Sequence, residues 1–156
     1  MYTSTQRTRP DHPVERLMIW PVATVPAEAT LLEIADALAA DEIGAVLVVQ
    51  GPRLVGVVSE RDIVSHLAAG ATASHLTAAD VMATDIVSIA PGDSVLAAAV
   101  TMRDAGVRHV PVLDAEARIA GIVSMRDLLD VLSRWCQEDI DVVVVPSGTR
   151  IVVGND

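Results

Sequence analysis

Apolar and polar positions follow the same order twice along the chain. The segment 54–64 reads LVGVVSERDIV and the segment 119–129 reads IAGIVSMRDLL, so five of the eleven positions are identical at an offset of 65. Upstream, the segment 44–49 matches 108–113 at an offset of 64, and the one-residue slip falls in a predicted turn. Self-similarity of this length indicates an internal duplication of one structural unit.

Each copy predicts the order strand, helix, strand, strand, helix. A short extended stretch (Val22 to Val25; Ile86 to Ile89) precedes a helix whose apolar residues recur at helical spacing. These residues are Leu31, Ile34, Ala35 and Leu38 in the first copy, and Val95, Ala98, Ala99 and Met102 in the second. The remaining elements are two apolar strands (Val46 to Val49 and Leu54 to Val58; Val110 to Leu113 and Ile119 to Val123) and a closing helix (about Glu60 to Ala69; about Met125 to Trp135). The sequence therefore predicts an α/β fold of two tandem βαββα repeats.

Pro111 interrupts the apolar run of the second copy. Because proline has no backbone N–H, it cannot donate a hydrogen bond to a neighbouring strand. We expect this strand to begin at Pro111 or to border the sheet there.

The repeats divide the chain into five parts. We predict a flexible N-terminus (1–13), a first repeat (14–70), a linker (71–80), a second repeat (81–135) and a C-terminal extension (136–156). In the extension, two Val-rich runs flank the turn-forming segment 146–149, which predicts a β-hairpin. That hairpin either packs on this module or a second copy, or it is the visible start of a region truncated from a longer chain.

The chain is strongly acidic. Its 21 Asp and Glu residues outnumber 11 basic residues, all of them Arg, and the formal charge is −10. Such a surface repels nucleic-acid phosphates and anionic lipid headgroups, so we expect no nucleic-acid partner and no membrane partner. The sequence has no run of 18 uncharged apolar residues, and its one cysteine, Cys136, fits a reducing compartment. We expect a cytoplasmic protein.

No arrangement of residues in the sequence predicts catalysis or metal binding. The four histidines (His12, His66, His75 and His109) have no metal-ligand spacing, and Cys136 has no thiol partner. The sequence contains neither a Walker loop nor a dinucleotide-binding glycine motif. We therefore expect no catalytic residues, no metal site and no enzyme.

Two copies of Gly-apolar-apolar-Ser-x-x-Asp, each where a strand ends and a helix begins, resemble the CBS domain, named for cystathionine β-synthase. The segments 81–87 and 106–112 are similar to the same family, and the resemblance covers about residues 14 to 134. It implies two repeats packed with pseudo-two-fold symmetry (a Bateman module) in a homodimer formed through helices. It also implies two clefts between the repeats, with no covalent cofactor, and a regulated protein partner that the sequence does not identify.

Pairs of this family commonly bind AMP, ADP, ATP or S-adenosylmethionine, and some bind no known ligand. Ser59 and Asp62, like Ser124 and Asp127, then allow two compatible interpretations. The pair can form a capping box that satisfies unpaired N–H groups at the start of a helix. Alternatively, the carboxylate accepts hydrogen bonds from a ribose diol, while the serine and the helix N-terminus face a phosphate.

The resemblance implies that Arg108 and His109 face the Asp of the first copy. The cleft expected to hold a phosphate better is therefore lined by Val57, Ser59, Asp62, Thr84, Ile86, Arg108 and His109. The opposite cleft is lined by Ile19, Val22, Gly44, Ala45, Ile122, Ser124 and Asp127. Because Gly44 and Ala45 supply no positive charge, we expect this cleft to bind a less charged ligand, to bind weakly or to stay empty. Arg108 as a surface ion pair and His109 as an ordinary strand-edge histidine are the alternatives.

Two functions fit these observations. The first is a regulatory module that senses an adenosine-containing nucleotide in the cleft between the repeats. The alternative is a ligand-free module of the same fold, used for dimerisation and protein docking.

Overall fold

The computed structural model describes the backbone of residues 8–41, 43–138, 140–144 and 150–154, and the side chains of 8–40, 43–72 and 74–137. The first repeat contains the strands β1 (Thr24–Pro26), β2 (Ala45–Gln50) and β3 (Arg53–Ser59), and the helices α1 (Leu31–Asp41) and α2 (Glu60–Ala68). The strands form one sheet in the order β1-β2-β3, with β1 parallel to β2 and β2 antiparallel to β3. This is the predicted βαββα order.

The second repeat follows a short helix, α3 (Ala78–Val81). It contains α4 (Val95–Ala105), β4 (His109–Leu113), β5 (Ile119–Ser124) and α5 (Met125–Glu138). Strands β4 and β5 are antiparallel, with a register shift after Val112 that matches the shift after Val48 in the first repeat. The predicted fold class, two tandem α/β repeats, is therefore confirmed.

The first strand of the second repeat is reduced to a single bridge, and Pro111 explains why. In the first repeat, the N–H of Leu47 donates to the carbonyl of Ala23 at 3.0 Å and holds β1 against β2. Pro111 occupies the position equivalent to Leu47 and has no N–H, so this bond cannot form. Only Ile89 pairs, with Val112, and the expected extended stretch from Ile86 to Ile89 is not a strand. Strand β4 does not begin at Pro111, because pairing starts at His109, but it does border its two-stranded sheet, which was the other expectation.

The helices α1 and α4 bury the same face in their two repeats. In α1, Leu31, Ile34 and Leu38 are buried as predicted, but Ala35 is exposed. The prediction for Ala35 was wrong because Ala37, instead, turns toward the core and packs against it. In α4 the buried residues are Val95, Ala98 and Met102, and Ala99 packs against them.

The segment before each repeat packs on the other repeat. Val14 and Leu17, from the 3-10 turn Val14–Arg16 and the residue after it, lie in the core of the second repeat. Ala78 and Val81 of α3 lie in the core of the first. Thus the stretch 71–80, expected to be a linker, ends in a helix whose first residue is fully buried. This exchange ties the repeats into one body.

The same exchange places two backbone bridges between the repeats. Ile19 pairs with Ile122, and Ala83 pairs with Val57. Between the sheets lies a third apolar cluster, built from Val22, Ala45, Leu47 and Ile122, with Ile19, Ile43, Leu54, Val57 and Ile119 packed against it. The clefts described below lie beside this central cluster.

The C-terminal strands β6 (Ile140–Val144) and β7 (Arg150–Gly154) pair antiparallel, from Ile140 opposite Gly154 to Val144 opposite Arg150. They form the hairpin predicted within 136–156, although α5 extends to Glu138, past the predicted end of its repeat. The expected turn at 146–149 lies outside the described residues, as does the N-terminal stretch 1–7 of the segment predicted to be flexible. In the described ranges, no helix is both long and apolar enough to cross a bilayer.

Candidate functional site

Helices α2 and α5 begin with the same hydrogen-bonded pair. The Oδ2 atom of Asp62 accepts from the backbone N–H of Ser59 at 2.8 Å and from its hydroxyl at 2.6 Å. In α5, Oδ2 of Asp127 accepts from the N–H of Ser124 at 3.3 Å and from its hydroxyl at 2.5 Å. Both carboxylates are half-buried, and each lines a cleft. The capping interpretation of the Ser-x-x-Asp spacing is therefore correct at both helices.

Two further helices use the same device outside the clefts. Asp80 accepts from the N–H and the hydroxyl of Thr77 at 2.8 and 2.7 Å. Glu33 accepts from the N–H and the hydroxyl of Thr30 at 2.7 and 2.9 Å. The bond from the threonine N–H lowers the pKa of each carboxyl below its ordinary value, with a further contribution from the hydroxyl. Capping alone thus explains the spacing, and a ligand role must rest on other evidence.

The first cleft, of about 210 Å³, brings together most of the residues predicted for the better site. Six of the seven line it, namely Val57, Ser59, Asp62, Ile86, Arg108 and His109. Thr84 does not line it, although its neighbours Ala83 and Asp85 do. Ala83 is held there because its backbone pairs with Val57, and Thr84 is exposed elsewhere.

The second cleft is larger, about 640 Å³, and contains Ile19, Gly44, Ser124 and Asp127 of its predicted set. The other three predicted residues, Val22, Ala45 and Ile122, do not line it. They are buried in the central cluster between the sheets, where side chains at the start of β2 and in β5 fill the space between the repeats.

Gly44 and Ala45 supply no positive charge to the second cleft, as expected, but two arginines from other positions do line it. Arg108 lines both clefts, and Arg126 lines the second one as well. Among the described side chains, Arg108 forms no salt bridge, so the surface ion pair considered as an alternative is not seen. The positive charge of Arg108 therefore does not belong to the first cleft alone, because both clefts meet at this residue.

His109 is half-buried and bonded to the opposite repeat. Its Nε2 atom lies 2.6 Å from the carbonyl oxygen of Ile43. Because a carbonyl can only accept, Nε2 carries the proton and donates. Burial lowers the pKa of His109 below its ordinary value of 6.5, and this effect outweighs the Ile43 bond and the nearby charges of Glu60 and Asp127, which raise it. The half-buried site therefore disfavours the charged imidazolium, which makes His109 a weaker partner for a phosphate than an exposed histidine.

Several lining residues were missed by the sequence interpretation. Arg61 lines the first cleft and Arg126 the second, and neither was among the residues predicted to line a cleft. Glu60 lines both clefts. Their position within each Ser-x-x-Asp was the available signal, because they belong to the same first helical turn as Asp62 and Asp127, which line the clefts.

The two clefts contain the same kinds of chemical group. Each offers a carboxylate at a helix start, guanidinium groups and apolar side chains. No cluster of three or more potential metal ligands occurs in the part of the chain that the structure describes. Such an arrangement can accept from hydroxyl donors, pair with an anion and cover an apolar ring.

CBS domains match this sequence twice, at residues 14–69 and 78–134. The chain belongs to the CBS domain family. The CBS domain-containing protein YhcV of Bacillus subtilis is 31% identical over 115 residues, which cover 74% of this chain and 81% of YhcV. Other relatives are longer: the chain spans 53% of a relative from Methanopyrus kandleri and 34% of one from Thermofilum pendens.

Solved CBS pairs share the fold. The CBS domain protein PAE2072 from Pyrobaculum aerophilum, complexed with AMP, superposes with a TM-score of 0.72 at 28% identity, covering 80% of this chain and 98% of PAE2072. The CBS domain pair of protein MJ0100, in complex with methylthioadenosine and S-adenosylmethionine, gives 0.71 at 25% identity, covering 83% and 98%. The predicted resemblance to tandem CBS pairs is confirmed.

Proposed function

We propose that this CBS pair is a regulatory module, not an enzyme, that binds an adenosine-containing compound in the cleft between its repeats. The candidate ligands are AMP, ADP, ATP and S-adenosylmethionine, and binding alters how a homodimer contacts a protein partner. The observation that carries this proposal is the first cleft, in which Asp62 of one repeat and Arg108 of the other line the same space.

Asp62 is suited to a ribose because only half of its carboxylate is used. Both bonds from Ser59 reach Oδ2, and no hydrogen bond among the described residues involves Oδ1. A carboxylate oxygen accepts strongly from hydroxyl groups. A ribose diol can therefore donate to Asp62 without breaking the cap of α2.

The rest of the first cleft offers contacts for the base and for the phosphate of a nucleotide. Val57 and Ile86 supply an apolar wall for a base, and Arg108 supplies a cation for a phosphate. Small-molecule sites combine an apolar lining with a few polar groups in this way, although they usually enclose about 300–1,000 Å³. At about 210 Å³ the first cleft must widen for a nucleotide or leave part of it outside, whereas the second cleft, at about 640 Å³, lies within that range.

The solved relatives support the ligand class. PAE2072 is complexed with AMP, and the MJ0100 pair with methylthioadenosine and S-adenosylmethionine, so all three ligands contain adenosine. Both proteins cover at least 80% of this chain with TM-scores above 0.7. The shared fold supports the same class of ligand here, and the choice among phosphates and sulfonium compounds is left to experiment.

A thermal-shift panel with AMP, ADP, ATP and S-adenosylmethionine tests the proposal. A ligand present at about 100 times its dissociation constant stabilises the folded state by about 2.7 kcal/mol. For a chain of this size the midpoint should rise by about 5–10 °C. Asp62→Asn should weaken binding about tenfold or more, because an amide keeps an acceptor for Ser59 but loses the charged acceptor for a ribose.

Asp80→Asn is the matched control, because Asp80 caps α3 through the same two bonds but lines neither cleft. It should keep the full ligand response. Loss of the response in Asp127→Asn, with Asp62→Asn unaffected, would move the ligand to the second cleft and reject the assignment to Asp62. An unchanged response in both variants would exclude both carboxylates.

A ligand-free docking module remains the second candidate, favoured by two observations. The caps of α2 and α5 account for Ser59, Asp62, Ser124 and Asp127 without any ligand. In addition, the helices expose seven large apolar side chains, namely Leu32, Val64, Leu67, Leu96, Val100, Leu129 and Trp135. Absence of a thermal shift with all four compounds, together with a stable dimer in solution, would favour this function.

A further inference from the structure

The two clefts are joined through a shared set of residues. Gly44, Glu60, Arg108 and His109 line both the first and the second cleft. They lie at the junction of the repeats, where the N–H groups of Glu60 and Met125, the first residues of α2 and α5, donate to the carbonyls of Gly44 and Arg108. A ligand group that reaches this junction from one cleft therefore meets the same side chains as a group that enters from the other.

Arg108 is the one shared side chain that can pair with an anion. Glu60 is acidic and repels a phosphate from either side, and Gly44 has no side chain. His109 uses its Nε2–H on the carbonyl of Ile43, which leaves Nδ1 as an acceptor. Arg61 and Arg126 are not shared, because each lines a single cleft.

If the two repeats were identical here, the first repeat would carry an arginine at the position equivalent to Arg108, but it does not. The position equivalent to Arg108 in the first repeat is Gly44, whose φ of +79° lies in the left-handed region. A Cβ placed on Gly44 would lie 3.6 Å from the Glu60 carboxylate and 3.7 Å from Cε1 of His109, which is ordinary contact. The backbone conformation, and not the available space, therefore favours glycine at this position.

We infer that the two clefts compete for Arg108, so that a phosphate bound in one cleft weakens phosphate binding in the other. This inference rests on the proposed adenosine-binding function and concerns its regulation. The first nucleotide takes the guanidinium, and the second meets Glu60 and the phosphate already bound. Loss of a charge-assisted hydrogen bond corresponds to about a tenfold or greater loss of affinity. An uncharged adenosine compound does not need Arg108 and escapes this penalty.

Calorimetric titration of the full chain with AMP and with adenosine tests the inference. In the wild type, AMP should bind one cleft at least about tenfold more tightly than the other. In Arg108→Ala, the tight AMP step should weaken about tenfold or more, and the two steps should approach each other. Adenosine should bind wild type and Arg108→Ala with the same constants. Arg53→Ala is the control, since Arg53 is exposed and lines neither cleft, and it should leave the wild-type AMP pattern unchanged.

Two results would overturn the competition while leaving the proposed function in place. One is AMP filling both clefts of the wild type with equal affinity. The other is an unequal pair of AMP steps that survives in Arg108→Ala, because the inequality would then arise from other differences between the clefts. Failure of AMP and adenosine to bind the wild type would overturn the inference, and failure of ADP, ATP and S-adenosylmethionine as well would reject the proposed function.

Discussion

The two repeats share one plan and differ where β2 and β4 begin. At the positions where the first repeat has Gly44, Ala45 and Leu47, the second has Arg108, His109 and Pro111. The first repeat consequently holds β1 in a three-stranded sheet, whereas the second keeps only a bridge at Ile89. The second repeat instead supplies the guanidinium shared by the clefts and a hydrogen bond to the opposite repeat.

The core shows the opposite behaviour. Val25, Val48 and Val58 are buried in the first repeat, and their equivalents Ile89, Val112 and Val123 are buried in the second. Close packing restricts such positions to apolar residues of similar volume. Two of the three differing residues of the second repeat, Arg108 and His109, line the junction between the repeats, where a substitution alters charge and hydrogen bonding as well as packing. At these positions the second repeat contributes Arg108 and His109 to the junction, to which the first repeat contributes Glu60.

The largest effect is expected from replacing Leu47 by proline, the residue at the equivalent position 111 of the second repeat. Leu47→Pro removes the N–H that holds β1 and cuts volume from a fully buried site. Loss of this hydrogen bond and truncation of a core side chain together should lower the free energy of unfolding by at least about 3 kcal/mol. Urea denaturation of the wild type and the variant measures this loss.

Pro111→Ala restores a backbone N–H at the equivalent position of the second repeat. It should change the free energy of unfolding by no more than about 1 kcal/mol. The new N–H can reach the carbonyl of Val87, the equivalent of Ala23, for a gain of about 1 kcal/mol, but the unfolded chain becomes more flexible by a similar amount. Hydrogen exchange reports the amide at position 111 directly. If that amide exchanges as fast as an unstructured one, the missing third strand has a cause other than the proline.

The repeat order and its helices were predictable because they follow from periodicity. Leu31, Ile34 and Leu38 recur at helical spacing, and burial of that face is set by packing on the sheet. Ala35 was misassigned because alanine is small enough to be tolerated on either face, so its presence carries little information about burial. The sequence interpretation did not foresee that the first strand of the second repeat would shrink to a bridge at Ile89. Pro111 weakens that strand's pairing, and the two segments are distant in the sequence.

The first cleft was more predictable than the second. Its carboxylate, serine and basic residues follow from the repeat and the family resemblance, and six of seven line one space. The sharing of Arg108 could not be predicted, because it depends on how closely the two helix starts approach each other. Val22, Ala45 and Ile122 were misplaced for a related reason, since only the packed structure shows which residues fill the space between the sheets.

Gly56 and Gly121 occupy equivalent positions in the two repeats. Substituting them tests how tightly the segments that contain Met82 and Met18 pack against the opposite repeat. A Cβ on Gly56 would lie 2.3 Å from Sδ of Met82, whereas one on Gly121 would lie 3.0 Å from Met18 and from the carbonyl of Ile19. Overpacking of a core costs about 1–3 kcal/mol. We expect Gly56→Ala to lower the free energy of unfolding by about 2 kcal/mol and Gly121→Ala by about 1 kcal/mol.

A double variant assigns the cause. If the clash with Met82 is responsible, Gly56→Ala combined with Met82→Ala should be more stable than the sum of the single effects by at least about 0.5 kcal/mol. Gly92→Ala is the control, because nothing lies within 4 Å of a Cβ there, and it should change stability by less than about 0.5 kcal/mol. Additive effects at positions 56 and 82 would contradict the packing explanation.

The last prediction concerns His109, whose equivalent in the first repeat is Ala45. Burial lowers the pKa of His109 in the folded state below 6.5, so the unfolded chain binds this proton more readily. The neutral ring therefore contributes stability that is present above about pH 6.5 and declines as the pH falls through the window below that value. His109→Gln should therefore retain more of its stability than the wild type as the pH is lowered from about 7.5 to about 5, and urea denaturation at each pH measures the difference. The comparison uses the two ligand-free proteins at each pH, because carboxylates such as Asp80, whose pKa is also lowered, titrate equally in both. Parallel pH profiles for the two proteins would mean that His109 is not desolvated at the junction, and its bond to Ile43 would then explain the position without any electrostatic cost.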